Sequence, residues 1–442
     1  MKRTVKYVKT IALGSICAAL LTLAVAGGAS SALAQDAKPL KIGIVTFLSG
    51  AGSGPFGIPA RNGAELVIEA INAGTLPAPY NTKGLAGASI EPIIIDENGS
   101  TTKVVQDLRN LVDRQNVDAV VGYVSSGNCL AVAPVAEELK TLLIMFDCGT
   151  PRIFEDASYQ YVFRSSATAT IDSVAAALYV KQKFPKLSTY GGINQNYAWG
   201  QDSWRDFTAA MQVLNPASKV TTEQFPKLFA GQFSAEISAL LVSNSQIIHS
   251  SLWDGDLESF LFQGSARGLP SKSLLVMTAA ESSMFRLGAK MPEGIVVGGR
   301  GPYGLFAANT PQNEWLRKAY FERYATPPTY PTYHMAQALL ALKVGYDKAA
   351  AAQGGKLPNK EQVAKAMEFI EYEAFGNKVK FALGKGHQAI TGHAYGIYKF
   401  DKAALEPTFT DVVHFPAECV NPPEGITSAE WIKGGMKGAK CK

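Results

Sequence analysis

Two hydrophobic rhythms interleave along this chain. Apolar runs of about four to eight residues, bounded by glycine, proline or polar turns, mark strands buried on both faces; between them, apolar residues three and four apart mark helices. A run at 40–47 (LKIGIVTF) opens the series, and Ala64, Val67, Ile68 and Ile71 form one stripe of a helix over 59–73. A strand at 90–95, a helix at 101–115, a strand at 117–123, a helix at 130–139 and a strand at 142–146 follow. Strict alternation of this kind predicts an open, doubly wound α/β unit with a largely parallel sheet.

A second unit of the same type begins near 161–164. It continues with helices over 171–184, 204–213 and 233–241 and strands near 188–193, 219–225, 246–250 and 274–277. After a strand at 294–297 the helices come in a block, at 313–324, 334–351 and 360–369, before short β-like pieces at 378–382 and 394–400. Late helices without matching strands imply that the chain returns to complete the first unit and then crosses again. The expected architecture is α/β, two Rossmann-like lobes joined by three crossings at about 163–166, 298–302 and 376–380. One lobe takes 35–163 and about 300–376, the other 164–299 and about 377–401, and 402–442 forms a C-terminal extension.

The first 34 residues stand apart. Lys2, Arg3, Lys6 and Lys9 precede an apolar run over 11–28, and Ala32-Leu33-Ala34 supplies small residues at the positions a signal peptidase reads, predicting a cleaved leader and export to the periplasm. Cys17 lies in mid-run behind Ile16, unlike a lipid-anchored cysteine. The leader holds four of the 42 basic residues and none of the 37 acidic ones, so the mature net charge falls to +1. That near-neutral balance removes the electrostatic basis for nucleic-acid binding.

Four cysteines remain after cleavage, an even number in an oxidising compartment, which favours disulfides and allows three pairings. Cys419 and Cys441 bracket a tail rich in proline and glycine, where a bridge would act as a staple; Cys129 and Cys148 follow neighbouring strands and are placed to pair across the strand ends. No Cys-x-x-Cys accompanies them, and the five histidines are scattered, so neither a metal nor a cofactor is expected.

Gly52-Ser53-Gly54-Pro55-Phe56-Gly57 spells a dinucleotide fingerprint between strand and helix, but Pro55 sits inside the turn and the acidic residue expected about 20 positions later is missing. The same geometry serves for polar capture by backbone N–H groups. Three strand-to-helix turns fall at equivalent edges: 50–57, 125–128 and 147–150, with Ser126 and Thr150 able to add hydroxyls. In the second unit, Trp199 in Asn196–Gly200 and Trp253 in Ser251–Gly255 occupy polar, glycine-bounded turns and are candidate cleft walls. No nucleophile elbow or zinc-protease helix is present and no Ser-x-x-Lys pattern can be placed credibly, which speaks against an enzyme.

Lys41-Ile42-Gly43 with Leu48-Ser49-Gly50, Val120-Val121-Gly122 with Ser125-Ser126, Thr150-Pro151, Phe163-Arg164-Ser165 and Tyr197-Ala198-Trp199-Gly200 occur in one order over some 350 residues. In these features the chain resembles the type I periplasmic binding proteins of branched-chain amino acid importers, the leucine-binding-protein-like family. The resemblance implies a monomer that closes two lobes on a small ligand and presents it to the permease of an ABC importer. It also implies that Ser126 and Thr150 hold a ligand carboxylate, helped by Tyr123, Ser125, Cys148 and Gly149, and that Phe56, Trp199 and Trp253 are aromatic contacts. Glu281 stands a few residues from the family's ammonium partner, with Asp254 and Asp256 as other candidates. An amino acid of the branched-chain or hydrophobic type is the implied ligand; an aromatic carboxylate, an amide or urea-type solute, and a ligand-presenting sensor are the alternatives.

Overall fold

In the computed structural model the described residues are 38–441, so the leader expected over 1–34 lies outside them. The strands are β1 (Leu40–Thr46), β2 (Ile90–Asp96), β3 (Ala119–Gly122), β4 (Leu142–Met145), β5 (Val162–Arg164), β6 (Thr189–Ile193), β7 (Lys219–Gln224) and β8 (Ile247–Ser250). They continue as β9 (Leu274–Met277), β10 (Val296–Gly298), β11 (Glu371–Ala374), β12 (Asn377–Leu383), β13 (Gln388–Ile390), β14 (His393–Asp401) and β15 (Glu406–Phe415). They form two sheets, one ordered β11-β12-β13-β5-β4-β3-β1-β2 and the other β15-β14-β10-β9-β8-β6-β7.

Each sheet is parallel through its centre, where βαβ connections right their strands, and antiparallel at the edge built from the chain's last third. In the first lobe β1, β3 and β4 are almost wholly buried, with helices on both faces, which explains their unbroken apolar sequence. Helix Tyr330–Ala351 packs against helix Ile58–Ala73 in this lobe, burying most of its own circumference.

The chain leaves the first sheet after β5, returns after β10 and leaves again between β13 and β14. Three passages were expected, but the last lies at 391–392 and not at 376–380. Val379 and Phe381 alternate with Lys378 and Lys380, so β12 buries one face in the first lobe while pairing with β11. The strand β5, read as the opening of the second unit, pairs with β4 and belongs to the first sheet.

Two further differences bear on function. Residues 251–255 were read as a turn, yet Asp254 begins a helix, Asp254–Ala266. The tail after 402 is no separate extension: β15 pairs with β14, and Cys419, Val420, Trp431 and Ile432 join the second lobe's core around helices Ala169–Lys183 and Ala198–Leu214. Disulfides link Cys419 to Cys441 and Cys129 to Cys148. From its anchor on the second lobe the tail also reaches the first, where Ser428 donates from its amide and hydroxyl to Glu155 Oε1, and the Lys385 amide donates 2.8 Å to Glu424 Oε1. No described helix is long and apolar enough to cross a membrane.

Candidate functional site

The carboxyl ends of the central strands of both sheets face each other, and the turns that leave them enclose a small cavity. Phe56, Val124, Asp147, Gly149, Tyr197, Trp199, Trp253, Arg300 and Tyr330 line it. Its volume is about 10 Å³, room for a single water at most, so the lobes are closed on one another.

Of the residues expected at the site, Phe56, Gly149, Trp199 and Trp253 meet there. Phe56 stands edge-on to Trp253 and to Tyr330, at centroid distances of 5.3 and 5.7 Å. Gly149 is required by close approach: a Cβ there would lie 2.2 Å from Trp199 Cδ1. The indole Nε1 atoms of Trp199 and Trp253 and the Tyr330 hydroxyl are buried without hydrogen-bond partners.

The expected carboxylate cradle is engaged by the protein itself. Glu97, at the end of β2, accepts from the amides of Val124 (2.8 Å) and Ser125 (3.0 Å) and from Asn128 Nδ2 (3.1 Å). It thus places a carboxylate at the N-terminus of helix Ser126–Glu138, where backbone donors and the helix dipole favour negative charge. Burial nevertheless pushes the Glu97 pKa up to about 7, against the effect of those hydrogen bonds. Ser126 Oγ accepts from the amides of Gly149 and Thr150, and the Thr150 hydroxyl donates 2.6 Å to Asp202 on the second lobe, which also pairs with Arg152. Tyr123 packs in the cluster with Val45, Leu108 and Cys129, and Cys148 is tied to Cys129; neither lines the cavity.

The three ammonium candidates do not line the cavity either. Glu281 Oε2 accepts 2.7 Å from the Tyr330 amide at the start of helix Tyr330–Ala351, and its other oxygen is buried without a partner. Asp256 accepts from Gln195 and the Gly231 amide. Asp254, at φ +58, is buried with neither oxygen bonded.

The charged pair that does line the cavity is Asp147 and Arg300. Arg300, on the second crossing, bonds to Asp147 of the first lobe, donates from Nε to Asp172 of the second (3.1 Å) and from Nη2 to the Ala167 carbonyl (2.9 Å). Its guanidinium lies over the Trp199 ring, 4.8 Å from the centroid. Burial opposes its charge, but Asp147 and Asp172 outweigh that and raise its pKa. His334 and His393 complete the cluster, against Asp147 (3.1 Å) and Asp172 (3.0 Å). Asp147 Oδ2 remains unbonded.

Sequence reasoning missed Val124, Asp147, Tyr197, Arg300 and Tyr330 as lining residues. Asp147 and Tyr197 lie inside turns already singled out, and Arg300 inside the second crossing; Thr329 with Pro331 marks a helix start whose first residue is Tyr330.

Two lobes whose strand ends close on a small polar and aromatic cavity define a cleft binder. A family profile described as periplasmic binding protein matches residues 39–404, and the chain belongs to that family, whose members bind solutes for ABC transporters and are not enzymes. Among solved structures it is similar to a solute-binding protein of an ABC transporter from Rhodopseudomonas palustris BisB5 in complex with 3,4-dihydroxybenzoic acid. The TM-score is 0.74 at 17% identity, over 86% of this chain and 98% of that one. A leucine-binding protein, LivK, from Thermotoga maritima MSB8 gives a TM-score of 0.70 at 19% identity over 85% and 98%. A periplasmic binding protein from Burkholderia mallei gives 0.74 at 18% over 89% and 99%. No curated protein matches the sequence.

Proposed function

We propose that this protein binds a small planar aromatic acid in the periplasm and delivers it, by lobe closure, to the permease of an ABC importer. The observation that carries the choice of ligand is the wall of the cleft: Phe56, Tyr197, Trp199, Trp253 and Tyr330 line it with Arg300, while Glu281, Asp254 and Asp256 do not. Such faces suit a flat ring admitted when the lobes part, since the closed cavity has no room for one; the two indole N–H groups and the Arg300 cation suit a carboxylate, and Asp147 Oδ2 suits a ring hydroxyl. The likeness to a protein solved with 3,4-dihydroxybenzoic acid supports the same reading. The leader supports the location.

The second reading is an amino acid, and one observation favours it: an unbonded, buried carboxylate oxygen at Asp147 is also a partner for an ammonium group. A thermal-shift panel of benzoate, 4-hydroxybenzoate, 3,4-dihydroxybenzoate, leucine and phenylalanine separates the two, since ligand in hundredfold excess over Kd stabilises by about 2.7 kcal/mol. Shifts with leucine and none with the benzoates would refute the aromatic acid.

A further inference from the structure

Two carboxyl groups of the second lobe are buried against the first lobe, and neither has the partners a charge needs. Asp254 begins helix Asp254–Ala266, and its Oδ2 lies 3.2 Å from where a Cβ on Gly52 would stand; the next residue, Gly255, faces Ala51. Burial outweighs the Gly255 amide and Arg286, which favour a negative charge on Asp254. Asp256 and Glu258 on its own helix repel it, and Arg286, from helix Met284–Leu287, is paired with Glu258 at 3.0 Å. The first-lobe segment carrying Ala51 and Gly52 presents backbone and the Phe47 ring.

Glu281 follows β9. It receives one hydrogen bond across the lobe boundary, from the Tyr330 amide, and packs its second oxygen against Gly304 of the crossing. The titratable groups beside it are the Tyr330 and Tyr333 phenols of helix Tyr330–Ala351, while Arg300, one residue past Gly299, is engaged with Asp147 and Asp172. Gly52 and Tyr330 withdraw with the first lobe when the cleft opens, and water then reaches both carboxyls.

We propose that closure of this cleft takes up protons, on Asp254 and on Glu281, so that the closed state gains on the open one as the surroundings acidify. This goes beyond the choice of ligand and holds for the empty protein.

The sign follows from the two environments. Open and hydrated, both groups titrate near the ordinary carboxyl range, about 4. Closed, burial pushes Glu281 up to about 8 and Asp254 well above its usual value. Below about pH 4 both are neutral in either state and pH has no effect. Above it, each pH unit lowers the closed-to-open ratio up to tenfold per group, until the closed-state pKa is passed and the effect levels off.

Small-angle X-ray scattering of the ligand-free protein from about pH 5 to pH 8 tests this window, set by the two raised pKa values. A disulfide between Ala51→Cys and Gly255→Cys supplies the closed reference, since a Cβ on Gly255 would lie 3.5 Å from that of Ala51, within bridging distance. The wild-type radius of gyration should move away from that reference as pH rises. Asp254→Asn and Glu281→Gln should each weaken the trend, and together abolish it. Infrared spectroscopy of the locked protein at neutral pH gives a second reading: neutral-carboxyl absorption is expected beyond that of Glu97, and Asp254→Asn and Glu281→Gln should each remove part of it. A wild-type radius independent of pH, a double variant that tracks wild type, or a locked protein whose neutral-carboxyl absorption the two substitutions leave unchanged would overturn the proposal.

Discussion

Replacing Arg300 by methionine removes a buried cation bonded to carboxylates of both lobes while roughly keeping its apolar stem. The loss is large because the side chain is only 3% exposed and serves two carboxylates, Asp147 and Asp172, that are themselves fully enclosed. Removing one partner of a buried pair costs about 3–5 kcal/mol, most of it the penalty of the charge left behind. Here two charges are left, along with the Ala167 and Asp147 carbonyls that also accept from the guanidinium. Arg300→Met should therefore lower unfolding stability by about 3–5 kcal/mol, read from the midpoint of urea denaturation at constant slope. The loss should shrink in acid, since, against the effect of burial, Arg300 helps hold the Asp172 carboxyl below its ordinary range and that contribution disappears once the carboxyl is protonated. Adding Asp172→Asn should cost much less in the Arg300→Met background than in wild type, because one stranded charge is then removed. A drop below about 1 kcal/mol, the worth of an exposed pair, or strict additivity of the two changes, would show that Arg300 is not the hub described.

Trp253→Ala should weaken binding of the active ligand by about 2 kcal/mol or more, since the ring packs tilted or edge-on against Phe47, Phe56 and Phe229 and walls the cleft; isothermal calorimetry reads the change, and unchanged affinity would remove Trp253 from the site. Because burial raises Glu97 to about 7, its contribution to stability is fullest below the ordinary carboxyl pKa and declines as pH rises from about 4.5 to about 7. Glu97→Gln should flatten that decline in chemical denaturation across the same range; an unaltered pH profile would contradict it. Cys419→Ser with Cys441→Ser should cost about 2–4 kcal/mol, with local loss of amide protection over 416–441 by hydrogen exchange.

Much of the fold was legible because parallel strands covered on both faces leave unbroken apolar runs, as in β1, β3 and β4. The helix Asp254–Ala266 was not, since Asp254-Gly255-Asp256 reads as a turn and the following residues bury Leu257, Phe260 and Leu261 without a clean polar face. The strand β15 was hidden for a similar reason: Glu406, Thr408, Asp411 and His414 give it a mixed, half-exposed sequence, and only its pairing with β14 makes it a strand. At the site, turns announced Trp199 and Trp253, but a turn does not say what already fills it. Glu97 meets Val124 and Ser125 only because β2 and β3 both flank β1, and Arg300 meets Asp172 across 128 positions. Such pairings come from topology and leave no mark in local spacing.

The tail from β15 onward has a bearing on how the molecule divides its labour. Rooted in one lobe and bonded to the other through Glu155 and Lys385, it spans the boundary without entering the cleft, and no strand of it touches the cavity. Any rotation that separates those partners must break or carry these bonds. The resting poise between apart and together can therefore be tuned by substitutions at Glu424 or Ser428 that leave the contact surface for the solute as it was, so affinity and selectivity are free to vary on separate parts of the chain.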